Sequence, residues 1–328
     1  VAHRFPALIA APAPAQARLW LTGARLFDGT GAPLRENTAI LVEDGVIRRV
    51  ADAREACPDG ARPVDVGQRV LMPGLTDAHT HASGRVPRTA KGAEEPLPGI
   101  AAHFLQAELR DYLRFGVTTI RVCGSQGLMP QQARQAMRYG AFRGPRLLTC
   151  GKIISATAPG GRFYGDMYRE ADGPDDIRRA VREQIRAGAD FVKVMTTGAR
   201  SNELEDPEPL QLTEPELAGA SMRAARQAGV KIALGSDVSL AAGLEIQRMV
   251  HFGLTPAQAL AAATSIAAEA LGLDEHIGTV TEGKLADLVI LDGDPLAEPQ
   301  LLSDPGRIWL VLQQGVPVAG QALVNPAT

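Results

Sequence analysis

Strand-like and helix-like segments alternate through the middle of this chain, and this restricts the fold more than any other feature, because it is the pattern of parallel βαβ units. Residues 70–75 read as a strand running into DAHTHAS. A helix is expected over residues 100–115, with Ile100, Phe104, Leu109 and Tyr112 facing inward. Residues 117–122 and 146–149 are the next strands. Pro174, Asp175 and Asp176 open a helix in which Ile177, Val181 and Ile185 recur every four residues, and Gly188 closes it. FVKVM at 191–195 is the fourth strand, and Thr213 to Glu216 is a capping box opening a further helix. KIAL at 231–234 is a strand ending in Gly235-Ser236-Asp237, and Thr255, Pro256 and Gln258 start an Ala-rich helix. That makes roughly five strands where a closed (β/α)₈ barrel needs eight.

The flanks differ from the middle. Residues 18–70 and 285–325 carry short β-favouring runs with Asp-Gly pairs at Asp28-Gly29, Asp44-Gly45 and Asp292-Gly293, the chemistry of hairpin turns. Paired, the two ends would make one small β-sandwich, leaving residues 71–284 for the barrel. Residues 1–17, rich in Ala and Pro, read as a leader, either disordered or the tail of a secretory signal. The compartment therefore stays open between cytoplasm and periplasm. A formal net charge of −3 gives no reason to expect nucleic acid or an anionic membrane as partner, and no apolar run is long enough for a transmembrane segment. Three scattered cysteines suggest no disulfide framework.

His79 and His81 form an HxH directly after the first barrel strand. Alternate residues of an extended segment point the same way, so both imidazoles can reach one cation, at the strand end where such barrels keep their active sites. VLMPGLTDAHTH resembles the first-strand signature of the amidohydrolase superfamily. RLFDGTG and AILVEDGVI before it, GVTTIRVCG, GADFVKVMTTG and KIALGSD in order, and GTVTEGKLADLVILDGDPL near the end extend the similarity. The match is to the branch of imidazolonepropionase-like proteins and Xaa-Pro dipeptidases, and runs from about residue 18.

The resemblance implies a distorted TIM-type barrel plus β-sandwich, with one or two divalent ions, zinc above all, held by His79, His81, Lys193 and Asp237. Lys193 reads on its own as a packing lysine whose amine snorkels. A buried lysine also loses its proton readily and can add CO₂, and the resemblance implies that such a carbamate bridges two metals. Asp237 alone is an ordinary turn residue; the resemblance makes it a metal ligand and the base that takes the proton of the attacking water. The reaction implied is hydrolysis of an amide, in a small-molecule or peptide substrate, by water that the metal acidifies. A dipeptidase or carboxypeptidase-like homo-oligomer is expected. Arg162, Tyr164 and Arg200, in loops, are candidates for holding a substrate carboxylate. Cys123 and Cys150 read as small buried residues.

The resembled enzymes also use histidines after the fifth and sixth strands. Here His3, His103, His251 and His276 follow no barrel strand. Between LTEPELAGA and SMRAARQAG roughly 90 residues, three βα units, are missing by the scale of a whole barrel. Either a segment of a longer parent is absent from the sequence, or the protein is shortened; the first is expected, since a barrel lacking three strands exposes unpaired edges. A cyclic-amide hydrolase of imidazolonepropionase type and a non-catalytic scaffold remain as alternative functions.

Overall fold

The computed structural model describes residues 18–83, 99–155, 157, 161, 164–195, 232–237 and 240–324. The leader, Arg162, Arg200 and the capping box expected at Thr213 lie outside these residues.

Both ends of the chain enter one sheet. β1 (Leu19–Leu26), β2 (Arg35–Glu43), β3 (Val46–Asp52), β4 (Arg62–Asp65) and β5 (Val70–Pro73) come from the first end, and β11 (Leu288–Leu291), β12 (Ile308–Gln313) and β13 (Val316–Ala319) from the other. The order is β13-β12-β11-β5-β1-β2-β3, with β4 beside β1. β5 is the seam, antiparallel to β11 and parallel to β1. Of the expected Asp-Gly hairpins, Asp44-Gly45 joins β2 to β3 with positive φ at both residues, as a two-residue turn requires. The other two pairs lie in longer connections, and Gln314-Gly315 makes the second such hairpin.

Side chains alternate across this sheet. Leu71, Leu288, Ile290, Leu310 and Leu312 pack with Leu21, Ile40 and Ile47 on one face. Val70, Met72, Val289, Leu291 and Val311 turn to the other face and pack with α1 (Ile100–Arg114) and the parallel strands. The strands of both ends form a single connected eight-stranded sheet.

Residues 70–75, expected to be one strand, are split at Gly74. β5 stops at Pro73, and β6 (Leu75–Thr80) begins a separate parallel sheet with β7 (Val117–Val122) and β8 (Arg146–Thr149), in the order β6-β7-β8. A Cβ on Gly74 would lie 2.1 Å from Thr118 Oγ1, so only glycine lets the chain pass between the sheets here. β9 (Ile153–Ser155) and β10 (Tyr168–Glu170) pair in parallel beyond β8. FVKVM joins β9 through a single bridge, Ile154 to Val194, rather than a full strand. Residues 232–237 run alongside β6 on its free side: the Ala78 amide donates to the Leu234 carbonyl (2.9 Å) and the Asp237 amide to that of His79 (2.7 Å). No closed barrel is present among the described residues.

Among the described residues three of the expected helices are present, Ile100–Arg114, Gly173–Arg186 and Pro256–Ala262, but two of these are rotated. α1 buries Leu105, Leu109, Tyr112 and Leu113, while Ile100 and Phe104 are 37% and 38% exposed. Tyr112 Oη hydrogen-bonds Thr80 Oγ1 (2.6 Å), which fixes the buried face. α2 (Met129–Arg138) covers the next crossover. α3 (Gly173–Arg186) buries Ala180 and Gln184, leaving Ile177 and Ile185 exposed. Gln184 accepts from the Lys152 amide (2.9 Å), so a polar contact decides which side of α3 turns inward. α4 (Ala242–His251), α5 (Pro256–Ala262), α6 (Ser265–Ala270) and α7 (Gln321–Val324) complete the set. α5 starts in the expected capping box: Thr255 Oγ1 accepts from the Gln258 amide (3.2 Å) and Gln258 Oε1 from that of Thr255 (3.0 Å). No helix among the described residues is long and apolar enough to cross a membrane.

Candidate metal centre

The end of β6 and the end of the 232–237 segment meet at one point. His79 Nε2 and His81 Nε2 each stand 3.2 Å from Asp237 Oδ1. One ligand atom from each residue lies within 4.8 Å of the others. The two rings are 5.4 Å apart, as alternate positions on an extended strand dictate.

Asp77, two residues before His79, supports this arrangement. Its carboxyl is buried and accepts the Ser236 hydroxyl on Oδ2 (2.5 Å), with the Ser236 and His79 amides on Oδ1 (3.2 and 3.1 Å). Burial pushes the Asp77 carboxyl up to about 6 despite these bonds. The carboxyl thereby ties the His79 backbone to the Gly-Ser-Asp turn. Gly235 permits the close approach: a Cβ there would sit 2.8 Å from His79 Cβ. Asp237 itself has φ of 59°, a left-handed conformation that Asp tolerates better than most residues.

The donor set fits a divalent cation. His81 Nδ1 lies 3.0 Å from the Gly124 carbonyl, which only accepts, so Nδ1 carries a proton and Nε2 is the ring atom left to face a cation. Burial holds the pKa of His79 below its ordinary value, against the pull of Asp237. The His81 hydrogen bond holds the Asp237 carboxyl below the usual carboxylate range, with the charges of His79, His81 and Lys193 adding to the effect. Two imidazole nitrogens and a carboxylate oxygen gathered this closely need a shared positive charge between them, either a ring proton or a metal ion. Ligands of a tetrahedral zinc with ~2.0–2.1 Å bonds stand roughly 3.4 Å apart, close to the separations here.

Lys193 carries its charge toward the same space, where it is felt at His79 and Asp237, and its carbonyl accepts from the Ile154 amide (2.9 Å). Arg121, not foreseen from the sequence, donates from Nε to the Ala78 carbonyl (2.6 Å) and lies over the Phe191 ring at 5.3 Å. Tyr164 stacks on Tyr168 at 5.1 Å, and its carbonyl accepts from Gln126. Cys123 and Cys150 are buried thiols, and burial pushes Cys150 up to about 12.

Residues 70–234 and 220–318 match the model of the Amidohydrolase family. The chain belongs to that family. Among relatives of this amidohydrolase, ochratoxinase from Aspergillus niger is 30% identical over 255 residues, which cover 69% of this chain and 51% of that protein. The chain thus spans about half the length of that relative. Imidazolonepropionase from Salinispora arenicola is 26% identical over 382 aligned positions, covering 89% of this chain and 92% of the relative. Because this chain has 328 residues, part of that relative has no counterpart in it. The amidohydrolase fold is shared with the crystal structure of a prolidase complexed with N-methylphosphonate-L-proline, at TM-score 0.78 and 23% identity over 92% of this chain and 100% of the other.

Proposed function

We propose that this amidohydrolase is a metal-dependent hydrolase of peptide or N-acyl amino acid bonds, of dipeptidase or carboxypeptidase type. The observation that carries the reading is the convergence of two imidazole Nε2 atoms on one carboxylate oxygen, each at 3.2 Å. In this reading His79, His81 and Asp237 hold a zinc ion, with Lys193 as a further ligand. When bound, the ion supplies Lewis acidity, lowering the pKa of water toward ~7 and polarising the scissile carbonyl.

The chain's own residues do the rest. Gly124 and Asp77 keep the two histidines aimed. Asp237 is ionised and, on this reading, takes the water's proton on its carboxylate and hands it to the leaving amine nitrogen. Lys193, as the neutral amine, forms an N–C bond to CO₂ with loss of one proton, giving an anion able to balance a second cation. Arg162, Tyr164 and Arg200 are the candidates for gripping the substrate carboxylate. The same reading takes in a barrel closed in the parent fold, a two-layered sandwich built from 18–70 and 285–325, and a homo-oligomer.

Imidazolonepropionase supplies a second reading, because the match covers 92% of that relative against 51% of ochratoxinase. The test is to load the full chain with zinc, count metal per chain by elemental analysis, and assay dipeptides and N-acyl amino acids beside cyclic imides. With only this ligand set the expected content is about one zinc per chain, lost in His81→Ala, with turnover slow and confined to linear amides. Activity on ring substrates alone would select the second reading. A full metal complement with no hydrolysis of any amide would leave a non-catalytic scaffold.

A further inference from the structure

We propose that this chain carries a second binding site, for a phosphate monoester with an apolar body, between α1, the turn after α2 and the C-terminal strands. A cavity of about 480 Å³ lies there, lined by Arg110, Leu113, Arg114, Arg143, Val318 and Leu323 among others. That volume is within the ~300–1,000 Å³ typical of small-molecule sites.

The cavity is far from the metal centre in the logic of the fold. α1 ends at Arg114 and returns through Gly116 into the start of β7, and Arg143 stands just ahead of β8. Both therefore sit at the N-terminal ends of the parallel strands, whereas His79 lies at the C-terminal end of β6 and His81 just beyond it. Substrate at the metal would not reach it.

Its chemistry is two-sided. No Asp or Glu lines the cavity. Arg114 has a partner, Asp111 Oδ1 at 2.9 Å, but among the described residues Arg110 and Arg143 have no ion pair. Guanidinium groups around one concavity focus positive potential into it, and their planar forks match phosphate oxygens two at a time. Opposite them the floor is apolar: Leu113 is 2% exposed, Ala319 8%, and Leu323 forms a half-exposed rim. Two unpaired positive charges match a phosphate monoester, which carries about −1.5 to −2 at pH 7, better than a monocarboxylate. The walls are preformed. Gly320 has φ of 115°, and a Cβ on it would meet the Trp309 carbonyl at 2.5 Å, so the chain is pressed against β12. Gln321 Nε2 then donates to the Pro305 carbonyl (3.5 Å) across the rim.

The test is calorimetric titration of phenyl phosphate into the full chain and into Arg110→Gln, Arg143→Gln and Arg143→Lys, with inorganic phosphate and benzoate as comparison probes. Both arginines are solvent-exposed, so matched melting curves are expected for all variants. Saturable binding at one site per chain is expected, weakened about tenfold in each Gln variant and less in Arg143→Lys, which keeps the charge and loses the fork. Inorganic phosphate and benzoate should each bind about tenfold more weakly than phenyl phosphate, the first for want of the apolar body and the second for want of charge. Absence of saturable binding overturns the proposal. So does binding by both Gln variants as tight as by the native chain, which would put the anion elsewhere, the His79–His81–Asp237 cluster included. Inorganic phosphate binding as tightly as phenyl phosphate would overturn the apolar half of the site.

Discussion

Ser236 and Asp77 stand 159 positions apart, yet their hydrogen bonds fix where His79 sits. Ser236→Ala removes none of the proposed metal ligands but leaves a buried carboxyl short of its hydroxyl donor. Loss of such an outer support typically costs about 10–100-fold in metal affinity, and that drop is expected in competition with a chelator; an unchanged affinity would mean that Asp77 does not position His79. The histidines and Asp237 were readable because each sits in a short motif with a strand before it. Asp77 also lies in that motif, and its i, i+2 spacing from His79 was available as a signal. What the sequence does not announce is the partner that lets a carboxyl stay buried, since nothing local links DAHTH to GSD. Arg121 escaped notice for the same reason: its partner carbonyl belongs to another strand.

Between sheets, the decisive position is Gly74. Gly74→Ala would drive a methyl into Thr118, and overpacking of this kind costs roughly 1–3 kcal/mol. A lower urea midpoint with unchanged slope is expected, with partial recovery when Thr118→Ala is added. An unshifted midpoint would show that β6 can leave β5 by another path. In sequence, 70–75 is one unbroken apolar run, and hydropathy alone cannot reveal that its halves pair with different sheets. Helix faces show the same limit. On α3 the buried stripe is displaced by one residue, to Ala180 and Gln184, because side-chain hydrogen bonding and small size outweigh the Ile177 and Ile185 periodicity.

α3 also carries a pH dependence. The guanidinium of Arg169 hydrogen-bonds Glu183 (2.7 Å) and Asp176 (3.0 Å), holding both carboxyls below their ordinary range. Depressed carboxyls stabilise above their unfolded pKa values, roughly 4, and the contribution fades as pH falls below that. Amide protection factors along α3 should therefore decline from pH 5 to about 3 in the native chain and stay flat in Arg169→Ala. Equal declines in both would remove Arg169 from the account.

Across the whole molecule, Arg146 on β8 and Asp287, just before β11, form an ion pair at 2.7 Å with both side chains 3% exposed. Thr119 accepts from the same guanidinium (3.0 Å), and the Gln314 amide donates to Asp287 (2.8 Å). Asp287→Ala would strand a buried cation, a loss of about 3–5 kcal/mol, whereas Asp287→Asn should cost less; chemical denaturation separates them, and equal losses would argue against a charge effect. At this scale the sequence was legible in its alternating middle and β-rich flanks, and in the order of its family motifs. It was less legible in how the flanks join, because register in an eight-stranded sheet is set by pairings between residues more than 200 positions apart. That pairing has a consequence in time. β1 and β5 leave the ribosome early, while β11, the strand that covers the free edge of β5, is made more than 200 residues later. At about 5–20 residues per second, the open edge waits on the order of 10–40 s for its neighbour. Throughout that interval it is a template for pairing with any other nascent strand, so yield in the cell should depend on chaperones far more than the finished protein's stability would suggest.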